Sequence, residues 1–170
     1  MEFLRRLFGQ SSKLTSNESP STSNYDYELM ESEFDNGRGL VVRRLSDGQK
    51  LAWRSLPGSD GLESINVVGE QHYLAALQNK AFAYGQSILV KPEPDNQYDP
   101  NAVAVYDADG KHQIGYLPKE DCKRLLNKMK KKRFACISMW ETWEGKKRVG
   151  LRLLLIEEET LPRIKGMKII

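Results

Sequence analysis

Alternating apolar and polar positions predict β-strands near the end of the chain. Valine or leucine stands at every second position from 149 to 155, which is typical of a strand with one buried face. Residues 133–143 and 146–156 are expected as the two strands, and Glu144-Gly145 separates them as a turn. We therefore expect a hairpin, with Trp140 and Trp143 on opposite faces of its first strand and packed in the core or at its rim.

A second hairpin is predicted to follow a rigid polar loop. Three prolines remove backbone donors and keep residues 92–101 extended, and the Asp and Asn residues between them favour turns. Residues 102–106 then predict a strand and residues 111–117 the returning strand, with a tight turn at 107–110. Tyr98 in the loop carries an amphipathic ring that either plugs a core or offers a stacking face.

Two helices are predicted beside these strands. Residues 73–82 are rich in Leu, Ala and Gln, with two leucines and a phenylalanine able to face inward. Pro118 suits the first turn of the second helix. In that helix Leu125, Leu126 and Met129 form an apolar stripe at helical spacing.

Charge is unevenly distributed, although the whole chain carries only +3. Residues 118–133 contain eight basic side chains against two acids, a balance of +6, whereas residues 1–36 contain seven acids against three bases, a balance of −4. A basic helix attracts polyanions through counterion release. A run of charge is also common on a solvated helix face, so the helix alone leaves both interpretations open.

Three runs of residues resemble the HIRAN domain family. They are LVKPEPDNQYDPNAVAVY at 89–106, IGYLPKE at 114–120 and VVGEQHY at 67–73. The hallmark of the family is a Pro-Asp/Asn-Asn-x-Tyr-Asp-x-Asn-Ala loop, a strand, and then a Gly-Tyr/His-Leu/Ile-Pro/Lys turn. The resemblance covers about residues 64–156.

The resemblance implies a mostly β chain of the α+β class, built on a small β-barrel related to SH3 and OB folds with two flanking helices. Outside it, the Ser-, Thr- and Asn-rich composition of 11–24 predicts a disordered N-terminal tail. Alternation around Asp47-Gly48 predicts an extra hairpin. The expected organisation is a flexible tail and linker at 1–39, an accessory hairpin at 40–63, the HIRAN-like domain at 64–156 and a C-terminal extension at 157–170.

The resemblance also implies DNA binding and, as in the eukaryotic remodelling helicases that carry this domain, capture of the 3′ end of a single strand. Tyr73 and Tyr98 would face bases, and Asp99 would accept a hydrogen bond from a terminal 3′ hydroxyl. Asn96 would help to hold the end nucleotide, and Lys119 would meet phosphate. The full set of expected nucleic-acid-binding residues is Gln71, His72, Tyr73, Asn96, Tyr98, Asp99, Tyr116, Lys119 and Lys123.

This chain departs from the end-binding members at two places. Gln71-His72-Tyr73 stands where those members have an Arg-aromatic-Tyr run, so a cation that would pair with phosphate is missing. Tyr116 replaces a histidine that follows the glycine in some relatives.

Composition is that of an intracellular, cytoplasmic domain, with 39% hydrophobic residues and a mean hydropathy of −0.58. Cys122 and Cys136 lack metal-ligand spacing and predict reduced thiols without a zinc site. The apolar runs of residues 1–9 are too short for a signal peptide or a membrane span. Because no nucleotide-binding, metalloprotease or serine-hydrolase motif is present, we expect neither an enzyme nor a cofactor.

Three functions remain open. The first is a module that binds single-stranded DNA or its 3′ end, in company with a helicase or nuclease partner. The second is a protein-interaction scaffold that recruits a partner through the N-terminal tail. The third is a divalent-metal site of Glu93, Asp95 and Asp99, whose carboxylates the intervening prolines would spread apart.

Overall fold

The computed structural model describes residues 25–51, 56 and 60–165, and it consists mainly of β-strands. The strands are β1 (Tyr27–Phe34), β2 (Gly37–Arg44), β3 (Lys50–Leu51), β4 (Leu62–Asn66), β5 (Ile88–Pro92), β6 (Val103–Asp107), β7 (Gln113–Tyr116), β8 (Phe134–Glu144), β9 (Lys147–Glu157) and β10 (Ile164–Lys165). The α-helices are α1 (Leu74–Leu77) and α2 (Lys119–Met129), and 3₁₀ turns cover Glu70–His72, Lys80–Phe82 and Glu158–Arg163. The predicted mostly β class is confirmed.

Two sheets contain these strands. The larger has the order β10-β1-β2-β8-β9-β4, with β3 beside β2, and the smaller has the order β5-β6-β7. Single bridges of Val68 with Tyr116 and of Ser87 with Ile137 join the sheets at both margins. Strands β4, β9 and β8 therefore surround a common interior with β5, β6 and β7, which is consistent with the expected barrel, although the two sheets do not close into a continuous one.

The barrel interior is the first hydrophobic core. Leu151, Leu153 and Leu155 of β9 are buried in it, as their alternation predicts, and pack with Val105 of β6. Val149 differs from this pattern because it is 37% exposed near the start of the strand. Burying one such leucine stabilises a fold by roughly 1.5–3 kcal/mol, so these strands contribute strongly to stability.

A second core lies on the outer face of β8 and β9. Leu154 and Ile156 alternate with the leucines of the barrel core and pack instead with Leu29 of β1 and Val42 of β2. Strand β9 is therefore buried on both faces along this stretch, although the sequence pattern predicted one buried face. The reason is that β1 and β2 cover the face that would otherwise meet solvent.

Residues 25–39, which we expected in a flexible tail, belong to this second layer. β1 pairs with β2 along its whole length, and β10 adds a short parallel strand on the other side of β1. Tyr27 and Leu29 are buried, whereas Glu31 and Glu33 occupy exposed positions of the same strand. The acidic composition of this segment therefore led to a wrong prediction, because the segment forms a strand with one apolar face. Residues 1–24 of the tail predicted at 1–39 lie outside the described residues.

The alternation around Asp47-Gly48 corresponds to a short pairing of β2 with β3. Within the described residues, Val42↔Leu51 and Arg43↔Lys50 are in register. Residues 52–55 and 57–59 of the predicted hairpin lie outside the described part of the chain.

The helix expected at 73–82 is divided into α1 and the 3₁₀ turn Lys80–Phe82. The Asn79 side chain accepts a hydrogen bond from the Ala81 N–H at 2.9 Å and so caps the second piece. Leu77 and Phe82 are fully buried, as predicted, but Leu74 is half exposed. The division leaves Leu74 on the surface because one helical turn is too short to carry a long apolar stripe.

Candidate nucleic-acid interface

The polar loop between β5 and β6 is held by its own side chains. The Asn96 side-chain oxygen accepts hydrogen bonds from the N–H groups of Tyr98 at 3.0 Å and Asp99 at 3.2 Å, and its nitrogen donates to Glu93 at 2.8 Å. The Asp99 carboxylate accepts a hydrogen bond from the Asn101 N–H at 2.8 Å. These local bonds favour one loop conformation, as the Asp and Asn content predicted.

Tyr98 projects from this loop into solvent. Its exposed fraction is 94%, so the ring does not plug a core. Large aromatic side chains are usually buried for most of their area, and an exposed ring on an ordered loop leaves both faces open to a ligand. Of the two interpretations of Tyr98, the structure therefore favours the stacking face.

Asp99 connects the loop to helix α2. Its side chain is 19% exposed, and Oδ2 lies 3.9 Å from the Nζ atom of Lys119, the first residue of the helix. A pair at this distance with one exposed partner is weak. Asp99 and Lys119 can therefore separate from each other, and each can form a stronger contact with a ligand.

Two tyrosines form the neighbouring part of the surface. Tyr73 follows the turn Glu70–His72 and Tyr116 ends β7, with ring centroids 6.5 Å apart at an interplanar angle of 63°. Burial, and then a hydrogen bond with Tyr116, raises the pKa of Tyr73 to about 12. The Glu93 carboxylate, at the start of the loop, contributes to the same shift.

Gln71 and His72 are exposed on the turn that precedes Tyr73. The Gln71 Nε2 and His72 Nε2 atoms are 3.4 Å apart. The bridge between Val68 and Tyr116 brings this turn beside β7. Residues far apart in the sequence are thereby collected on one side of the barrel.

Helix α2 has two flanks with different electrostatics. At 100° per residue, Lys119 and Lys123 share one flank, and Arg124 and Lys128 share the other. Arg124 and Lys128 both pair with Glu63 of β4, the Lys128 pair at 3.0 Å. The sheet therefore neutralises the second flank in part, and the first flank carries the exposed cationic surface.

Fewer basic side chains are free to meet a ligand than the charge of 118–133 predicts. Arg124 and Lys128 are paired with Glu63, and Lys132 forms a further ion pair with Glu157. Within residues 60–165, no ion pair involves Lys123 or Lys130. Lys130 follows on the flank of Lys119 at a distance of about 16 Å along the helix axis.

A family model for the HIRAN domain matches residues 61–153, more than half of the chain. The chain belongs to the HIRAN domain family. Its fold is similar to that in the crystal structure of the HIRAN domain of human HLTF, with 22% sequence identity, a TM-score of 0.45, and coverage of 59% of this chain and 80% of that one. The chain is also similar to a crystal structure of a protein from Lactobacillus plantarum, with 24% sequence identity, a TM-score of 0.42, and coverage of 56% of this chain and 92% of that one. No curated protein matches the sequence.

The HIRAN domain is in general a DNA-binding module and is not typically catalytic. In the described part of this chain no group of three His, Cys, Asp or Glu side chains could hold a metal ion. Across the same residues no helix is both long and apolar enough to cross a membrane. Cys122 and Cys136 are buried free thiols, and burial raises the pKa of both, that of Cys136 to about 12.

The nine residues predicted to bind nucleic acid lie on the loop, the 3₁₀ turn with Tyr73, β7 and α2 of the HIRAN domain. Their individual roles stay predictions. Asn96 differs from the others because its amide group is occupied by hydrogen bonds within the loop. We therefore regard it as a residue that positions Tyr98 and Asp99.

The structure adds two residues to this surface that sequence reasoning missed. The Tyr106 hydroxyl on β6 donates to Gln113 at 3.1 Å, and the Lys91 Nζ atom lies 4.6 Å from the centre of the Tyr106 ring. Alternation alone does not identify Tyr106, because residues 103–105 of the same strand are all fully buried. Together these residues extend the aromatic and cationic surface across the smaller sheet.

Proposed function

We propose that this HIRAN domain binds single-stranded DNA at its 3′ end. The observation that carries the proposal is an almost fully exposed Tyr98 beside an Asp99 carboxylate that lies 3.9 Å from Lys119. A terminal nucleotide requires a stacking face for its base, an acceptor for its hydroxyl and a cation for its phosphate. These three side chains provide one of each.

The remaining residues support this arrangement in graded ways. Tyr73 and Tyr116 offer a stacking surface to the preceding nucleotide, and Lys123 meets the backbone one helical turn beyond Lys119. Gln71 and His72 bind through hydrogen bonds or stacking rather than through a fixed charge. The complex should therefore depend less on salt than one in which an arginine stands at this turn.

A captured strand end needs an enzyme to act on it, so a helicase or nuclease is the expected partner of this module. A nucleic-acid ligand also implies that the domain works inside the cell. The two unpaired thiols are compatible with a reducing compartment.

Fluorescence anisotropy with short single-stranded oligonucleotides tests the proposal. An oligonucleotide with a free 3′ hydroxyl should bind more tightly than the same oligonucleotide blocked by a 3′ phosphate, and Asp99→Asn should reduce that difference. Tyr98→Ala should weaken binding roughly 5- to 100-fold, the effect of losing one base stack. Tyr25→Ala, which removes an exposed tyrosine far from the loop in sequence, serves as the matched control.

Equal and negligible binding of both oligonucleotides at low salt would refute the proposal. Equal and tight binding would retain DNA binding and remove recognition of the end. Loss of binding in Tyr25→Ala comparable to that in Tyr98→Ala would show that the loop has no special role.

A further inference from the structure

A second surface lies where the hairpin of β1 and β2 meets the HIRAN domain. It is a cleft of about 530 Å³ between the β1–β2 turn and the 3₁₀ turn Glu70–His72, on the outer face of β8 and β9. DNA binding as proposed above makes no use of it. Its chemically informative lining residues are Phe34, Asn36, Asn66, Glu70, Trp140 and Arg152.

An aromatic pair forms one wall of the cleft. Phe34 is 60% exposed, and its ring centroid lies 5.1 Å from that of Trp140 at an interplanar angle of 49°. The indole lies close against β2, where a Cβ atom at Gly37 would be 2.6 Å from Nε1 and one at Gly39 would be 3.0 Å from Cε3. Glycine at both positions thus seats an indole on the sheet surface, where it lines the cleft instead of entering a core.

The charged side chains of the cleft lining are Glu70 and Arg152, and further acids lie on the adjoining β1 and its turn. Burial raises the pKa of the Glu70 carboxyl in spite of backbone hydrogen bonds. Among the described residues, no basic side chain forms an ion pair with Glu70, nor with Glu31, Glu33 or Asp35 of the adjoining β1 and its turn. Arg152 is a basic residue in the lining, and its Nη1 donates to the Ser64 hydroxyl at 3.3 Å.

We propose that this cleft binds an arginine or lysine side chain of a basic peptide from a partner protein. A cation placed against Trp140 and Phe34 gains cation–π attraction, for which tryptophan is the best ring. Glu70 supplies a half-buried counter-charge, and the amide oxygens of Asn36 and Asn66 can accept hydrogen bonds from a guanidinium. The surrounding acids attract a basic peptide and repel nucleic acid.

The two surfaces therefore differ in charge and suit different ligands. The exposed lysine flank of α2 beside Tyr98 suits a polyanion, while the aromatic cleft with Glu70 and the adjoining acids of β1 suits a cationic side chain. The proposal for the cleft does not depend on DNA binding, because the two surfaces share none of their proposed binding residues.

A nuclear magnetic resonance titration of the full ¹⁵N-labelled chain with a capped tetra-arginine peptide tests the inference. The indole N–H signal of Trp140, assigned from its absence in Trp140→Phe, should shift and saturate, whereas a capped tetra-glutamate peptide should leave it in place. Glu70→Gln and Phe34→Ala should each weaken peptide binding about three- to fivefold, as for one exposed ion pair or cation–π contact. Tyr98→Ala, on the DNA surface, should leave peptide affinity unchanged.

Four results would overturn the inference. One is a Trp140 indole signal that does not move at millimolar peptide, and another is unchanged peptide affinity in both Glu70→Gln and Phe34→Ala, each confirmed as folded by its amide spectrum. A third is a larger shift with a single-stranded oligonucleotide than with tetra-arginine, which would make the cleft part of the DNA site. The fourth is a shift on diluting the protein alone, which would identify a second copy as the occupant.

Discussion

Two glutamates of the larger sheet, Glu63 on β4 and Glu141 on β8, are each shared by two basic side chains, but in different surroundings. Glu63 binds Arg124 and Lys128 of α2, which both keep contact with solvent. Burial alone would raise the pKa of Glu63, but hydrogen bonds and charge attraction from Arg124 and Lys128 outweigh burial and lower it. The pairing clamps the helix to the sheet while water still screens the charges.

Glu141, in contrast, is fully buried and lies 2.7 Å from both the Nε atom of Arg38 on β2 and that of Arg148 on β9. Arg148 is nearly buried as well, and it donates hydrogen bonds to the backbone oxygens of Leu77 and Asn79, each at 2.9 Å. Burial lowers the pKa of Arg148 in spite of Glu141. This cluster joins the β1–β2 hairpin, the β8–β9 hairpin and the segment around α1.

The comparison teaches that the same pairing has different consequences according to solvent access. A buried ion pair adds little net stability, because desolvation offsets the attraction, but removing one partner leaves an uncompensated charge. A partly exposed pair loses little when it is broken. We therefore expect the junction between the hairpin and the barrel to be sensitive to mutation and the clamp on α2 to be tolerant.

The largest expected effect is that of Glu141→Gln, which should lower the free energy of unfolding by about 3–5 kcal/mol because Arg148 stays buried without a counter-charge. Urea unfolding measures this loss. Glu144→Gln, an exposed position at the end of the same strand, should change stability by less than about 0.5 kcal/mol. A loss for Glu141→Gln no greater than that for Glu63→Gln would contradict the importance of burial.

The second largest loss of stability is expected from Gly39→Ala, which introduces a steric clash at the same junction. Gly39 pairs with Trp140, and an added Cβ would lie 2.2 Å from the backbone oxygen of Met139. Because backbone must move to accommodate it, Gly39→Ala should destabilise the protein by about 1–3 kcal/mol. Thermal unfolding followed by circular dichroism provides the measurement. An unchanged melting temperature would mean that β2 and β8 separate at little cost.

At the clamp on α2, Glu63 is buried but its basic partners reach solvent, so Glu63→Gln should lower the free energy of unfolding by only about 1 kcal/mol at neutral pH. The lowered pKa of Glu63 means that its contribution is complete above its ordinary value of 4.5 and is lost as pH falls through the folded value. The stability difference between wild type and variant should therefore disappear in acid. A difference that keeps its full size well below pH 4.5 would exclude ionised Glu63 as its source.

Local pattern predicted the parts of the fold that have one apolar and one polar face. The β8–β9 hairpin agrees with its expected position within one residue at each end, because alternation and the turn residues act locally. The second core could not be predicted in this way. Leu154 and Ile156 are apolar like the neighbouring leucines at 153 and 155, and only the position of β1 decides that both faces of β9 are covered.

The candidate site shows the same division. Prolines and Asx turns define the loop with Tyr98 and Asp99 locally, and the family motif adds Tyr73 and Tyr116. Charge counting along α2 could not reveal that Glu63 takes up Arg124 and Lys128, since ion pairs between distant segments depend on packing. The burial of Glu141 was hidden for the same reason.

The smallest expected effect concerns the two flanks of α2. Lys123→Ala should reduce the slope of log affinity against log salt concentration for single-stranded DNA by about 0.7, the value for one phosphate contact. Lys128→Ala removes the same charge from the same helix, but Lys128 is held 3.0 Å from Glu63, so the slope should stay unchanged. Anisotropy titrations at several salt concentrations distinguish the two variants. A cation can neutralise phosphate only after leaving its internal partner. An equal reduction of the slope in both variants would therefore mean that DNA displaces Glu63 from Lys128, and that the clamp belongs to the binding surface.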